Sequence, residues 1–469
     1  MAQGDNKEDE NLTIIPPDFS DLDLSFTSTS ASTSSFAATT TTAASSARSS
    51  ISLSLPSSSS SSSSTLKPLP HRRFDPRWSA LRAAANLSPD GHLHLRHLKL
   101  LRPLGSGNLA RVFHCRLRGF DDPSVDFALK VVDLHAAAVD EAGSGKLSNV
   151  RMEARVLAGL DHPFLPALYA RLDASHYACF LIDYCPGGDL HSLLRRRRSP
   201  RLPVAAVRFY AAEVLLALEY LHALGFVYRD LKPENVLLRA DGHVMLSDFD
   251  LCFHSDVAPA LHRRRHLLPR RRPSSSSCFL RPAQEAEELE LVAEPEAAFS
   301  LECVGTHEYL SPEVISGAGH GNGVDWWAFG VFIYELLYGR TPFKGGSKES
   351  TLKNILAREL RFPPETSAGN HGGEKAAARD LISRLLVRDP RRRMGSVRGA
   401  AEIKRHPFFR GVRWALIRTM KPPVVVGAAG ARVYGEGKRW WSKKWSSCEG
   451  KWLKRLGLVG TKKKTTGKA

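Results

Sequence analysis

A polar segment, Tyr228-Arg-Asp-Leu-Lys-Pro-Glu-Asn235, directly follows a long apolar helical pattern. A second segment, Asp248-Phe-Asp250, comes shortly after it. Asp230 can accept a hydrogen bond from a hydroxyl group and orient that group for in-line attack. Lys232 can neutralise charge on a phosphoryl group in transfer. This spacing predicts a phosphoryl-transfer site, because an accidental polar loop does not explain eight matched positions followed by a second motif.

Two residues of these segments suit a metal ion. Asn235 and Asp248 offer hard oxygen ligands, which Mg²⁺ prefers. Mg²⁺ keeps several waters and bridges phosphate oxygens, so it needs only one or two ligands from the protein. We therefore expect ATP and Mg²⁺ as the cofactors.

A glycine-containing segment upstream suits the phosphates of the nucleotide. Gly105-Ser-Gly-Asn-Leu-Ala110 lies between two predicted strands, a setting in which backbone N–H groups can cover phosphates. A plain hairpin turn fits this motif equally well. Lys130, in the next predicted strand, is expected to bind the α- and β-phosphates, and Glu153 on the following predicted helix is expected to hold it in place. The alternative for Lys130 is a snorkelling surface lysine.

The order of predicted elements indicates the fold class. Short β-like runs occur first, and helical patterns dominate afterwards. The predicted strands are Leu98–Leu104, Val112–Leu117 and Phe127–Val132, and the predicted helices are Leu147–Leu160, Val204–Leu224, Val324–Tyr338 and Ala376–Val387. This order predicts an α+β, bilobal fold with a β-rich N-lobe over residues 98–184 and an α-helical C-lobe over residues 185–409.

Three other stretches differ in composition. Residues 1–92 are dominated by Ser, Thr and Ala, and we expect them to be disordered because they cannot bury enough apolar surface. Within an insertion at about 254–298, six arginines precede six glutamates, which indicates a mostly mobile loop. Residues 410–469 form a basic, Trp-rich C-terminal extension, and for its Trp/Lys-rich tail, Lys438–Lys468, a membrane-surface helix, a solvated tail and a gene-model artefact remain open.

Charge and cysteine content limit the class of protein. The net charge is +18, from 66 Lys and Arg against 48 Asp and Glu, which indicates an anionic partner such as a membrane surface, a nucleic acid or a phosphorylated ligand. The seven cysteines show no metal-ligand spacing, which fits a reducing intracellular compartment. Neither a secretory signal pattern nor an apolar run of about 20 residues is found, so we expect a protein that is neither secreted nor transmembrane.

The motifs resemble those of the eukaryotic protein kinases over about residues 98–409. Ser311-Pro-Glu313 stands where that family carries Ala-Pro-Glu, and the resemblance pairs Glu313 with Arg393. It implies a protein kinase fold in which Asp230, Lys232, Lys130 and Glu153 are the catalytic residues and Asn235 and Asp248 hold the metal. The nucleotide-binding residues that it implies are Leu104, Gly105, Ser106, Gly107, Val112, Ala128, Lys130, Asp183, Cys185 and Asp189.

Within the kinases, the chain resembles the plant AGC kinases of the AGCVIII group, and in particular the WAG and PINOID kinases. The strings that carry this resemblance include His71-Arg-Arg-Phe-Asp-Pro76, Asp248-Phe-Asp250, Gly305-Thr-His-Glu-Tyr309, Asp325-Trp-Trp327 and His406-Pro-Phe-Phe409. The resemblance implies phosphorylation of Ser or Thr, and we expect a monomer that does not bind a specific nucleic acid. It also implies a role in auxin transport, with PIN auxin efflux carriers as candidate substrates.

The same resemblance indicates substrate preference and location. Asp189, Glu234 and Glu335 match positions that bind basic residues upstream of the target Ser or Thr, with solvated surface acids as the alternative. We expect Arg263–Arg272 to bind an anionic membrane and so hold the protein peripherally at the cytoplasmic face of the plasma membrane. We also expect the protein in the cytoplasm and the nucleus. A nuclear-import signal and an unused solvated loop are the alternatives for this cluster.

Three positions depart from the family pattern. Ala110 replaces the third glycine of the phosphate loop, which predicts weaker ATP binding, and Asp250 replaces the last glycine of Asp-Phe-Gly. Neither change removes a phosphate or metal ligand, which argues against the alternative of a catalytically weak kinase-fold scaffold at membranes. Glu302 stands where the related kinases carry a phosphorylated serine, and we expect it to pair with Arg229 and mimic phosphate. The alternatives are regulation at Ser300 or Ser311, or a solvated Glu302 of no consequence.

Overall fold

The computed structural model describes residues 70–107, 110–134, 136, 145–174, 176–267, 285–364 and 372–423. They form two lobes, a strand-rich one and a helical one, as predicted for the bilobal α+β fold. Within these ranges, no helix has both the length and the apolar character needed to cross a bilayer.

The N-lobe is built on one antiparallel sheet of five strands in the order β1-β2-β3-β5-β4. The strands are β1 (Leu98–Ser106), β2 (Ala110–Leu117), β3 (Asp126–Asp133), β4 (Leu168–Ala174) and β5 (Tyr177–Asp183). Nearly every residue of β3 is buried, because both faces of the sheet are covered. Phe127, Leu129 and Val131 pack with α1 (Pro76–Asn86), and Val132 packs with α2 (Gly145–Gly159).

The C-lobe surrounds two helices that are apolar on almost all sides, α4 (Val204–Ala223) and α6 (Gly323–Tyr338). The other helices are α3 (Leu190–Arg195), α5 (Pro312–Ile315), α7 (Lys348–Ala357), α8 (Gly372–Leu385) and α9 (Gly399–Lys404). Short strands lie at the lobe junction, namely β6 (Phe226–Val227), β7 (Val236–Leu238), β8 (Val244–Leu246) and β9 (Phe253–His254). Because α4 and α6 are buried, they offer a fixed base for the loop between β6 and β7.

The expectation of disorder over residues 1–92 is wrong for its last part. Residues 70–92 are folded, and α1 starts at an Asp75 cap whose carboxylate accepts a hydrogen bond from the Arg77 N–H at 3.0 Å, with Pro76 in the first turn. Trp78 and Leu81 of α1 are buried against the sheet. The Ser-rich composition ends before this segment, which carries enough apolar residues to pack. Residues 1–69 lie outside the described residues.

The two ends of the insertion form paired strands, in place of the mostly mobile loop that the sequence predicts. β10 (Ala260–Leu267) pairs in antiparallel register with β11 (Glu285–Val292). The register sets the arginine run opposite the glutamate run, because positions 264 and 265 face positions 288 and 287. Opposite charges across an antiparallel pair stabilise it, which explains why two runs without a hydrophobic period form strands. The part of the insertion between these strands lies outside the described residues.

The first part of the C-terminal extension packs on the C-lobe. Ile417 is buried, the rings of Phe409 and Trp414 lie 5.3 Å apart, and Arg418 pairs with Asp241. Residues 424–469, with the basic Trp-rich tail, lie outside the described residues.

Candidate active site

A buried lysine joins the two lobes. β3 carries Lys130, whose Nζ lies 2.5 Å from Glu153 Oε1 on α2 and 2.8 Å from Asp248 Oδ1. Burial acts to lower the pKa of Lys130, but Glu153 and Asp248 hold it well above its usual range. A snorkelling surface lysine is excluded, because this side chain is buried between two acids. The charged ammonium group stands where it can meet phosphate oxygens.

A second constellation surrounds Asp230 in the loop between β6 and β7. Lys232 Nζ donates to Asp230 Oδ2 at 2.7 Å, and Thr306 Oγ1 donates to Asp230 Oδ1 at 2.9 Å. Burial raises the pKa of Asp230, and the contacts with Lys232 and Thr306 act against that rise. A carboxylate in this setting can orient a hydroxyl group and receive its proton, while Lys232 remains within reach of developing negative charge.

The metal ligands expected from the sequence lie beside these groups. Asn235 Nδ2 donates to the Asp230 main-chain carbonyl at 2.9 Å and to Asp230 Oδ2 at 2.8 Å, which leaves the Asn235 carbonyl oxygen for a ligand. Burial and the neighbouring Asp248 raise the pKa of Asp250 to about 7, a sign of crowded negative charge that a cation would relieve.

The donor set fits Mg²⁺ bound together with phosphates. No group of three or more His, Cys, Asp or Glu residues suited to a metal occurs in the described part of the chain. An amide oxygen and one carboxylate, completed by phosphate oxygens and water, is the type of site that Mg²⁺ takes in phosphoryl-transfer enzymes.

The phosphate loop has the expected hairpin form where it is described. Gly107 N–H donates to the Ala110 carbonyl at 2.8 Å, and Gly105 lies opposite Val112. Of the remaining predicted nucleotide contacts, Leu104 and Ser106 lie on β1, and Ala128 lies on β3. Residues 108–109 fall outside the described residues.

Neither departure in these loops strains the backbone. Among the described non-glycine residues only Arg229 and Asp248 have positive φ, at 67° and 63°. Ala110 and Asp250 therefore do not need the conformational freedom of the glycines that they replace.

The segment between the lobes holds three further predicted contacts. The Asp183 carboxylate is buried and bound by arginines, so Asp183 can offer a nucleotide only its main chain. Cys185 is also buried. Asp189 caps α3, and its carboxylate oxygens accept from Ser192 N–H at 2.6 Å and from Ser192 Oγ at 2.8 Å. A ligand of Asp189 would therefore share carboxylate oxygens that already accept hydrogen bonds from Ser192.

A buried charge network beneath the loop was missed by sequence reasoning. Asp325 accepts hydrogen bonds from the main-chain N–H groups of Tyr228 and Arg229, both at 2.8 Å. The two ring nitrogens of His222 lie 2.8 Å from Asp325 Oδ2 and 2.7 Å from Glu294 Oε2. Burial would lower the pKa of His222, but Glu294 and Asp325 raise it to about 10, so the imidazole is charged.

Glu294 belongs to the acidic run of the insertion, for which the sequence predicts a mostly mobile loop. The signal that could have found it is its setting: Glu294 is followed by Pro295, and the charge run is interrupted there by Val292 and Ala293. In the structure both Val292 and Glu294 are buried. The network therefore ties the end of the insertion to the loop that carries Asp230.

The contact expected for Glu302 is present. Arg229 Nη2 donates to Glu302 Oε2 at 2.8 Å, and Arg229 Nη1 donates to Ser300 Oγ at 3.2 Å. The Arg229 side chain is 5 % exposed and that of Glu302 is 55 % exposed. Ser311, one of the alternative regulatory residues, is buried.

The pairing expected between Glu313 and Arg393 is also present. Arg393 Nη1 donates to Glu313 Oε1 at 2.6 Å and Nη2 donates to Glu313 Oε2 at 2.8 Å. This bidentate pair fixes the end of the segment that contains Thr306 against the C-lobe.

The chain is similar to known proteins over most of the described residues. The protein kinase domain family matches residues 98–263 and 290–409, and the interval between them lies inside the insertion. Serine/threonine-protein kinase WAG2 of Arabidopsis thaliana is 60 % identical over 362 residues, which cover 75 % of this chain and 73 % of that protein. The chain is a serine/threonine protein kinase of the plant AGCVIII group.

Other relatives agree with this placement. Serine/threonine-protein kinase WAG1 of Arabidopsis thaliana is 58 % identical, over 76 % of this chain and 74 % of that protein. Protein kinase PINOID of Oryza sativa subsp. japonica is 50 % identical, over 77 % of this chain and 76 % of that protein.

The geometry suits the transfer reaction of a protein kinase. ATP with Mg²⁺, when bound, would supply the phosphoryl group and the positive charge of the metal, with Asn235 and Asp248 as the residues that would hold the ion. Lys130, held by Glu153, would contact phosphate oxygens. Asp230 is placed to orient the acceptor hydroxyl and receive its proton, and Lys232, with its Nζ 2.7 Å from Asp230 Oδ2, would offset negative charge.

Proposed function

We propose that this kinase phosphorylates Ser or Thr residues preceded by arginine, and that PIN auxin efflux carriers in auxin transport are its substrates. The observation that carries the proposal is a pair of acids on the acceptor side of the site. The Glu234 side chain is about half exposed, and its Oε1 lies 3.6 Å from His191 Nδ1. Glu335 accepts from the Tyr309 hydroxyl at 2.5 Å, and burial and the nearby Glu234 raise the pKa of Glu335. The likeness to the WAG and PINOID kinases supports the choice of substrate.

The test measures transfer to the hydrophilic loop of a PIN carrier and to the same loop with the arginines before each Ser or Thr changed to alanine. We expect loss of the arginines to reduce kcat/KM at least tenfold, about 1.4 kcal/mol. Glu335→Gln should raise KM for the unaltered loop, and Glu359→Gln, an exposed acid elsewhere on the C-lobe, should not. Equal labelling of both loops would contradict the preference, and no labelling of either would favour the kinase-fold scaffold.

The location is proposed separately. We propose that the kinase binds the cytoplasmic face of the plasma membrane peripherally, with the cytoplasm and nucleus as its other locations. On the ribbon of β10 and β11, Leu261, Leu289 and Leu291 are exposed. Arg263 lies on the same face, because it is opposite Leu289 in the register. Leucines beside arginines suit an anionic leaflet, at about 1 kcal/mol for each Lys or Arg near it.

Glutamates on the ribbon act against membrane binding, since Glu287 lies 4.0 Å from Arg263. Sedimentation with phosphatidylserine vesicles is expected to show salt-sensitive binding that decreases when the arginines of residues 263–272 become alanine. Binding that is unchanged in this variant would refute the role of the cluster.

A further inference from the structure

The segment before the family domain is part of the folded kinase. The domain match begins at residue 98, yet α1 and the turn before it, Pro70–Arg72, pack against the N-lobe. Trp78 lies with its ring centroid 4.8 Å from that of Tyr169 on β4 and is buried. This packing places the chain just before α1 behind the segment that joins the lobes.

Arg72 binds the end of β5 from this position. Its Nη1 lies 2.8 Å from Asp183 Oδ1 and 2.6 Å from Asp183 Oδ2, and its Nη2 donates to the Leu165 carbonyl at 3.0 Å. Arg72 is 8 % exposed and Asp183 is 2 % exposed. A charged pair buried to this extent is sensitive to loss of either partner, because the remaining buried charge then loses its nearest counter-charge.

Asp183 also collects contacts from other elements. Ala167 N–H donates to Asp183 Oδ2 at 2.9 Å, and the Tyr169 hydroxyl lies 3.1 Å from Oδ1. Arg77 Nη1 lies 3.6 Å from Oδ1, and Arg239 Nη2, from the turn between β7 and β8 in the C-lobe, lies 3.9 Å from it. Burial by itself would raise the pKa of Asp183, but Arg239, Arg72 and Arg77 lower it to about 2. The carboxylate is therefore an ionised junction between the N-terminal segment and both lobes.

The position of Asp183 gives this junction a consequence for the nucleotide. Asp183 ends β5 and lies opposite Phe127 at the start of β3, while Lys130 lies opposite Phe180 on the same strand pair. The strand pair thus links the phosphate-binding lysine to the segment between the lobes. Because the Asp183 side chain faces the protein interior, only its main chain and that of the next residues can border a bound base.

We propose that Arg72 is a positioning residue for ATP, which holds Asp183 so that the main chain of residues 183–185 presents a fixed edge to the nucleotide base. The segment Pro70–Asn86 thereby supports, from the outer side, the chain of residues 183–185 that joins the two lobes, and we call this support the brace. The inference rests on the kinase activity. It assigns to this segment a part in nucleotide affinity and none in acceptor binding.

The experiment compares full-length wild type, Arg72→Met and Arg72→Lys. We expect Arg72→Met to raise KM for ATP by about fivefold or more, with kcat and KM for a peptide acceptor within about twofold. Arg72→Lys keeps the charge but loses the second contact to Leu165, so its KM for ATP should lie between the two. Arg73→Met, at the exposed neighbouring position, is the matched control and should resemble wild type.

Calorimetric binding of a non-hydrolysable ATP analogue gives a second readout that needs no activity. Its Kd should rise by the same factor as KM for ATP, and the double variant Arg72→Met/Asp183→Asn should recover part of the loss, because it removes a buried carboxylate that has lost its nearest counter-charge. If Arg72→Met does not fold, the Arg72→Lys comparison decides. Unchanged analogue affinity in the folded variants would overturn the brace, as would an equal loss for ATP and peptide. A wild type that binds the analogue but transfers no phosphate would contradict the enzyme function and leave the brace testable by its Kd.

Discussion

Replacing Asp230 with asparagine is expected to slow phosphoryl transfer by roughly a thousandfold or more, about 4 kcal/mol of barrier, with little change in ATP affinity. The asparagine side chain has the same shape, and Lys232 and Thr306 can still contact it. The asparagine cannot receive the proton of the acceptor hydroxyl. It also replaces the carboxylate oxygen that lies 2.7 Å from Lys232 Nζ in the wild type with an uncharged amide. Orientation and charge supply most of the catalysis in this reaction, so the loss falls on kcat.

The measurement is steady-state transfer to a basic peptide, combined with calorimetric binding of a non-hydrolysable ATP analogue. Asp256→Asn, at an exposed aspartate outside the site, is the control and should keep wild-type kcat. If Asp230→Asn retained near-normal turnover, Asp230 would not be the base, and the chemistry assigned to this loop would be wrong.

Replacing Glu302 with alanine is expected to lower the basal activity of unphosphorylated kinase about tenfold. Arg229 directly precedes Asp230 and contacts Glu302 at 2.8 Å, so Glu302 ties the segment containing Thr306 to the catalytic loop. A carboxylate binds guanidinium as phosphate does but carries one negative charge in place of nearly two, so the mimicry should be partial. We therefore expect basal activity that does not depend on an upstream kinase.

The test uses bacterially produced, phosphatase-treated wild type, Glu302→Ala and Glu302→Ser. Glu302→Ser should be as weak as Glu302→Ala until it is phosphorylated. Glu296→Ala, at an exposed acid of the same segment, is the matched control. Full activity of Glu302→Ala after phosphatase treatment would exclude the mimicry, and loss of activity in Ser300→Ala instead would favour Ser300, which also contacts Arg229, as the regulated residue.

Local patterns were sufficient for much of the fold and for the centre of the site. The helix predicted over Val204–Leu224 is α4 (Val204–Ala223), because an apolar run of that length with few breakers has little alternative. The motifs predict Lys130, Glu153 and Asp248 as one group and Asp230, Lys232 and Asn235 as another, and the structure brings the members of each group into contact.

The remainder depends on contacts between residues far apart in the chain. Arg72 and Asp183 lie 111 positions apart. Whether a polar segment such as 70–75 folds depends on a distant partner of this kind, which composition does not reveal. Glu294 and His222 are 72 positions apart, so the sequence alone does not distinguish this buried glutamate from the other glutamates of the run. Strands β10 and β11 could not be predicted without their register, which sets the arginine run opposite the glutamate run.

The most direct test of the account is transfer of label from γ-³²P-ATP with Mg²⁺ by purified full-length wild type. The acceptors are three matched peptides that carry arginine two and three residues before a single Ser, Thr or Tyr. We expect labelling of the Ser and Thr peptides, little of the Tyr peptide, and only background labelling by Asp230→Asn. Labelling by wild type that does not exceed the Asp230→Asn background would contradict the assigned activity and favour the alternative of a kinase-fold scaffold.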